Sequence, residues 1–319
     1  MRRLTAAILP ILCVPAIALA QTDGRSPMRV ATFNVENLTR DADEQRLATF
    51  AQFVRRIDAD VILINEVDTP PDDLHAGIDP LINLVNEDMP EGRRYTAVVR
   101  PTNTGVHSGH DLNNDGTLDE EPGSRAYGND CLGFGEYPGQ YGMALLVRAP
   151  FRVDEANVRT FADFLWKNMP NAKLPRTTDG EPWYTDQELA VLPLPSKTMM
   201  DVPVIAPNGT AVRMICAHPT PPVFDGPEDR NGRRNHDEIR LIADYLAGKT
   251  YITDDSGDRT PFPKDAHSVI LGDMNADPDE GDTLGNPIEL LLQHPRVQRL
   301  PAPQAEHRDE PAQKLDPDD

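Results

Sequence analysis

Four apolar runs in this sequence stop at residues that can bind a cation, orient a water or carry a proton. Val269-Ile270-Leu271 passes through Gly272 into Asp273 and Asn275. Met28 to Phe33 leads to Asn34 and Glu36, Val61 to Ile64 leads to Asn65 and Glu66, and Val212 to Ala217 leads to His218. A carboxylate in such a place can take a proton or orient a water, and an amide can hold an oxyanion. Asp273 and Asn275 are two positions apart, as are Asn34 and Glu36, so strands that continued through them would show both side chains on one face. The plainer reading of Asp273 is a strand-end turn with Asp277-Pro278. A lone histidine is more often structural than catalytic, and His218 gains its weight from being another polar group at the end of an apolar strand.

The elements that must position these residues alternate. After the first strand, Leu47, Phe50, Val54 and Ile57 recur at helical spacing over 44–57. Val61 to Ile64 is continuously apolar, as in a strand buried on both faces. A short helix is expected over 79–88, a strand over 95–99 and another over 141–148. That alternation argues for a layered α/β domain. Residues 151–210 are broken by prolines and polar residues, and edge strands, loops and a substrate-facing lip are expected there. A strand over 212–217 is stopped by Pro219, Pro221 and Pro222. An amphipathic helix follows over 235–246, then a short one near 287–292. Arg233, Arg234 and His236, just before the longer helix, could meet a phosphate or simply be solvated.

Residues 101–140 interrupt the alternation as a long insertion rich in Gly, Asn and Asp, which in a compact domain is functional or disordered. Within it Asp111, Asn113, Asp115, Thr117 and Asp119 alternate around Gly116 in a calcium-loop pattern. The twelfth position is Pro122 rather than Glu, so Glu120 or Glu121 would have to substitute, or the ion would keep more water. An acidic surface loop is the simpler alternative.

The composition narrows the function. With 52 Asp+Glu against 31 Lys+Arg the chain carries a net charge of −21, which disfavours broad binding to polyanions or anionic membranes and suits divalent cations. Solubility or a salty habitat would explain the acidity equally well. Arg2 and Arg3 precede a largely apolar Leu4 to Ala16, and Ala18-Leu19-Ala20 forms an A-x-A site. These features predict a signal peptide over 1–20, cleavage near Ala20 and a secreted or periplasmic protein without transmembrane anchoring. A linker over 21–27 follows. Cys131 and Cys216 remain after cleavage. Export permits a disulfide between them, but Cys216 lies in an apolar strand, and two buried free thiols are expected.

Taken in order, Asn34-Val35-Glu36, Glu66, His218 and Gly272-Asp273-Met274-Asn275 resemble the endonuclease/exonuclease/phosphatase superfamily over about residues 28–300. The resemblance implies an α/β fold in which a two-layer β-sandwich is flanked by helices, with the site at one end of both sheets. It implies an exported, metal-dependent phosphoesterase of nuclease or phosphatase type, acting on a small or nucleic-acid phosphoester, and a monomer is expected. By that resemblance Glu66, with Glu36 and Asn34, would hold Mg²⁺ or Mn²⁺. Asp273 would orient or deprotonate the attacking water, Asn275 would hold a phosphate oxygen, and His218 would stabilise the phosphate or act as general acid. Tyr141 would be the active-site tyrosine. The family's closing Ser-Asp-His strand is not found, and Glu306 to Asp309 lies in a polar acidic tail over 301–319. The last strands are therefore expected to be missing, by truncation or by degeneration. The alternative is a catalytically impaired, exported calcium-binding module on the same scaffold.

Overall fold

The computed structural model describes residues 27–281 and 283–299. The expected leader and the 301–319 tail lie outside the described residues. Chain order gives β1 (Val30–Leu38), α1 (Glu44–Ile57), β2 (Val61–Val67), α2 (Asp79–Asn86), β3 (Tyr95–Val99), α3 (Arg125–Asn129) and β4 (Gly142–Arg148). Then come β5 (Arg152–Val153), β6 (Arg159–Thr160), α4 (Asp186–Leu189), β7 (Met199–Ile205), β8 (Ala211–Ala217), α5 (Arg230–Leu246), β9 (His267–Leu271) and α6 (Ile288–Leu292).

Two mixed sheets form, ordered β1-β2-β4-β3 and β5-β7-β8-β9, with β6 also pairing β7. β2 shows why its run is unbroken. Val61 and Leu63 face the second sheet, meeting Met200, Val202 and Met214. Ile62 and Ile64 face the opposite way, onto α1 and α2. On the far side of the second sheet, α5 packs with Phe161, Trp166 and Leu194 from the 151–210 region. The expected two-layer sandwich flanked by helices is thus observed, and the β2 run is apolar at successive positions because both faces of its sheet are covered. Helix α1 starts where Asp43 accepts the Arg46 amide at 2.9 Å and stops where Asp58 turns left-handed at φ 49°.

Three expectations change. β7 is an interior strand of the second sheet, whereas only edge strands and loops were expected over 151–210. Its alternation is Met200, Val202 and Val204, interrupted by Asp201 and Pro203. Asp201 is buried because it accepts from Arg213 Nε and from Tyr245 Oη at 2.6 Å. Helix α5 begins at Arg230, so Arg233, Arg234 and His236 lie inside it rather than before it. Arg234 is not solvated: it donates to the carbonyls of Leu132, Pro193 and Leu194. Cys131 and Cys216 are both free and buried, as expected. Among the described residues no helix is long and apolar enough to cross a membrane.

Candidate active site

In this topology the C-terminal ends of the parallel pairs β1/β2 and β8/β9 meet the N-terminal ends of the antiparallel β4 and β7. The register fixes this: Asn65 pairs Met143, Ala217 pairs Met199 and Cys216 pairs Leu271. Asn34, Glu66, His218, Asp273 and Tyr141 therefore come to one end of the sandwich.

The strands do not simply continue into the site. The β1/β2 register shifts between Asn34 and Leu38, and the β2/β4 register shifts at Glu66. Glu36, Glu66, Tyr141 and Asn275 all take left-handed backbone angles, φ 53°, 66°, 59° and 48°. Such bulged, strained residues re-aim side chains at strand ends. The expected sharing of a face by Asn34 and Glu36 fails for this reason. Asn34 Oδ1 accepts the Glu36 amide at 2.8 Å, and among the described residues the Glu36 carboxylate bonds to none of the other site groups. Asp273 and Asn275 likewise leave the strand, which ends at Leu271. Asp273 Oδ1 accepts the Asn275 amide at 3.0 Å. Asp273 thus does make a turn, with Asn275 rather than with Asp277-Pro278, and its other oxygen stays on the site.

That oxygen and Glu66 share one donor. Asn34 Nδ2 lies 2.6 Å from Glu66 Oε1 and 3.2 Å from Asp273 Oδ2. His218 Nε2 stands 3.9 Å from the same Glu66 oxygen. His218 is buried, its Nδ1 has no partner, and burial, then the nearby Lys197 charge, holds it well below the ordinary histidine range. Tyr141 is held in its protonated form by burial and then by the Glu66 charge. Asn275 Nδ2 donates to Pro219 O at 3.0 Å, which ties its turn to the His218 loop.

Lys197 was missed by the sequence reading. It precedes β7, is 6 % exposed, and burial lowers its pKa to about 8 against the pull of Glu238, Glu66 and Asp273. Among the described residues it makes no ion pair within 4 Å; the opposite charges that act on it are, largest first, those of Glu238, Glu66 and Asp273, and it lines the cleft beside Glu66. The signal available was a lysine two residues before the alternating Met199 to Ile205.

Two glycines and helix α5 hold these loops together. A Cβ on Gly272, at φ 143°, would sit 1.7 Å from Ala217 O, so only glycine lets the ends of β8 and β9 approach. A Cβ on Gly133 would sit 1.8 Å from Ser196 O, beside Lys197. From α5, Glu238 accepts the Ser196 and Thr220 amides at 2.6 Å each. One turn earlier, Asn235 donates to Thr220 O at 2.8 Å and to Met274 O at 3.0 Å. The segments carrying Lys197, His218 and Asp273 thus share one buried scaffold.

The donor set fits a hard divalent cation. Two carboxylates converge with a neutral amide between them, and neither has a guanidinium partner among the described residues. Among the described residues no group of three or more His, Cys, Asp or Glu side chains is placed to hold an ion, so an ion here would rest on one or two carboxylates and take its remaining oxygens from water and substrate. The expected calcium loop turns on hydrogen bonds of its own, and its Leu112 lines the cleft beside this site. Asp111 accepts the amides of Asp115 and Gly116, and Asp115 accepts from Asn113, the Thr117 amide and the Thr117 hydroxyl. Asp119 donates its amide to buried Asp130 at 3.3 Å.

The sequence profile of the endonuclease/exonuclease/phosphatase family matches residues 31–311. The chain belongs to this family. A comparison with curated proteins found no match. Among solved structures, similarity is found to the human Nocturnin catalytic domain with bound sulfate anion, at 14 % identity. The match covers 85 % of this chain and 70 % of that one, with a TM-score of 0.46. An endonuclease/exonuclease/phosphatase from Beutenbergia cavernae matches at 17 % identity over 81 % of this chain and 50 % of its own, TM-score 0.41. A Bacteroides thetaiotaomicron mannosyl-6-phosphatase matches at 13 % identity over 80 % and 68 %, TM-score 0.38. Membership in the endonuclease/exonuclease/phosphatase family agrees with the order of Asn34, Glu66, His218 and Asp273 along the chain.

Proposed function

We propose that this protein hydrolyses phosphoester bonds with the help of Mg²⁺ or Mn²⁺ held at Glu66, with Asn34 beside it. The observation that supports this is the Asn34 amide wedged between the Glu66 and Asp273 carboxylates, with Lys197 and His218 facing them. A cation held there would neutralise charge on the phosphoryl oxygens and make the phosphorus more electrophilic. Asp273 orients a water and accepts its proton. The water oxygen bonds to phosphorus as the ester oxygen leaves. Lys197 and the His218 Nε2 face hold the negative charge that gathers on the non-bridging oxygens. Asn275 keeps the Asp273 turn in place, and the Tyr141 hydroxyl is a further donor beside Glu66. Glu36, whose amide is held by Asn34, would be a further carboxylate near the ion.

The test is hydrolysis of methyl p-nitrophenyl phosphate in heavy-oxygen water. Label in the phosphoryl product, with a rate about 10³-fold lower in Asp273→Asn, is expected. Unlabelled product, or an Asp273→Asn variant as fast as the parent, would remove the reading. The 111–119 loop we propose as a separate Ca²⁺ site, supported by the chelate-like turns around Asp111 and Asp115, and 1–20 as an export signal.

A further inference from the structure

The cleft that holds Glu66, Lys197 and His218 has a volume of about 460 Å³, within the range for small organic ligands, and its wall also carries Arg234 and Tyr184. Arg234 is 9 % exposed, yet among the described residues it forms no ion pair. Its Nε and Nη2 donate to the carbonyls of Leu194, Pro193 and Leu132, and its Nη1 donates to none of the described residues. Arg230, on the same wall, is by contrast paired with the buried carboxylate of Glu228. Burial first, and the Arg234 charge with it, lower the Lys197 pKa to about 8 against the pull of Glu238, Glu66 and Asp273, so two buried cations repel each other. Glu238 is the acid that acts most on both, and its oxygens already accept the Ser196 and Thr220 amides at 2.6 Å each. Glu66, the next acid to act on Lys197, is the carboxylate assigned to the metal. Burial pushes the Tyr184 hydroxyl up to about 12 against the charges of Arg234 and Arg230, so it is a proton donor, and it has no partner among the described residues. The Ser196 and Thr220 hydroxyls on this wall are buried without a partner as well. Buried donors left unmet, and a buried cation left unpaired, destabilise a fold, and a ligand that completes them explains their presence.

We propose that Arg234 and Tyr184 form a pocket for a second acidic group of the substrate, so that the substrate is a small phosphoester with a terminal carboxylate or second phosphate a few bonds from its reacting phosphoryl group. The proposal rests on the phosphoesterase reading and adds the substrate class to it. A guanidinium donates and cannot accept, and the phenol supplies a further proton, which suits an oxyanion better than a sugar hydroxyl. Lys197 is close enough to feel both Glu66 and Arg234, so the two ends lie within the span of one small molecule. Arg234 and Tyr184 are each more than nine-tenths buried, so the group they meet is a chain end. A polynucleotide would have to lead its backbone out again, and a net charge of −21 disfavours it besides.

Binding calorimetry of phosphonopropionate, its amide phosphonopropanamide and trimethylene bisphosphonate to the full chain with Mg²⁺ present tests this, in the parent, Tyr184→Phe and Arg234→Gln. Each probe carries a phosphonate that cannot be hydrolysed, and the amide alone lacks the second charge. Phosphonopropionate should bind about tenfold more tightly than its amide, the worth of a charge-assisted hydrogen bond. That ratio should fall about threefold in Tyr184→Phe and vanish in Arg234→Gln. Arg234 also braces three carbonyls, so Tyr184→Phe decides alone if Arg234→Gln does not fold. Within a confirmed preference, tighter binding of the bisphosphonate than of phosphonopropionate marks the second group as a phosphate, and the reverse order marks a carboxylate. Equal binding of the acid and its amide, or a ratio unchanged in Tyr184→Phe or in a folded Arg234→Gln, would overturn the pocket. A preference for the acid in a protein that hydrolyses no phosphoester would sustain the pocket and remove the reaction instead.

Discussion

Replacing Lys197 by Met should make the protein more stable and less active. The side chain is 6 % exposed, and burial lowers its pKa from 10.5 to about 8. Keeping the charge on such an amine costs the folded state about 3 kcal/mol. Methionine has a similar shape and carries no charge, so a gain of about 1–3 kcal/mol is expected, a rise of a few degrees in Tm. The dependence on pH follows from the direction of the shift. The unfolded chain keeps this lysine protonated up to about pH 10.5, whereas the folded chain releases the proton above about pH 8. The parent's stability therefore rises with pH across that window, and the advantage of the variant is full below pH 8 and gone by pH 10.5. Hydrolysis should fall by about 10²–10³ if the ammonium holds charge on the phosphoryl group. Urea melts of both proteins at pH 7 and pH 10.5, with initial rates at pH 7, measure all of this. An unchanged rate, or a stability difference that is the same at both pH values, would refute the reasoning.

Other perturbations test the scaffold. Glu238→Ala removes the acceptor for two buried amides and should cost about 2–4 kcal/mol in urea melts, with the site loops loosened together. Gly272→Ala forces a Cβ to 1.7 Å from Ala217 O; thermal melts should show a loss exceeding about 3 kcal/mol, and a variant as stable as the parent would contradict the close approach. For the calcium loop, 1 mM Ca²⁺ should raise the Tm of the parent and not that of Asp115→Ala; equal shifts would remove that site.

Much of the fold could be read from residue type and order, because burial writes it directly. β2 is covered on both faces and so is apolar from Val61 to Ile64, and α1 carries its cap at Asp43 and its apolar stripe through Val54. β7 was unreadable because Asp201 and Pro203, on the face opposite Met200, Val202 and Val204, interrupt its apolar run, and the partners that make Asp201 tolerable, Arg213 and Tyr245, are distant in sequence. Lys197 was lost with it. The start of α5 was misplaced because its first turns are polar: Arg234, Asn235 and Glu238 are buried by clamping loops, not by hydrophobic contact. At the site, the meeting of Asn34, Glu66, His218 and Asp273 at the strand ends was legible and their orientation was not. A period of two predicts shared faces for Asn34 and Glu36, but bulges and left-handed residues at strand ends override the period.

The most direct test of the account is a Mg²⁺ titration of metal-stripped protein, reading phosphodiester hydrolysis in the parent, Glu66→Gln and Asp273→Asn. Turnover should be absent in chelator and should saturate with Mg²⁺ in the parent. Glu66→Gln should need far more Mg²⁺ to reach half its maximal rate, and Asp273→Asn should stay about 10³-fold slower than the parent at every concentration. Turnover that persists in chelator, or a Glu66→Gln titration superimposable on the parent's, would contradict the assignment of the two carboxylates.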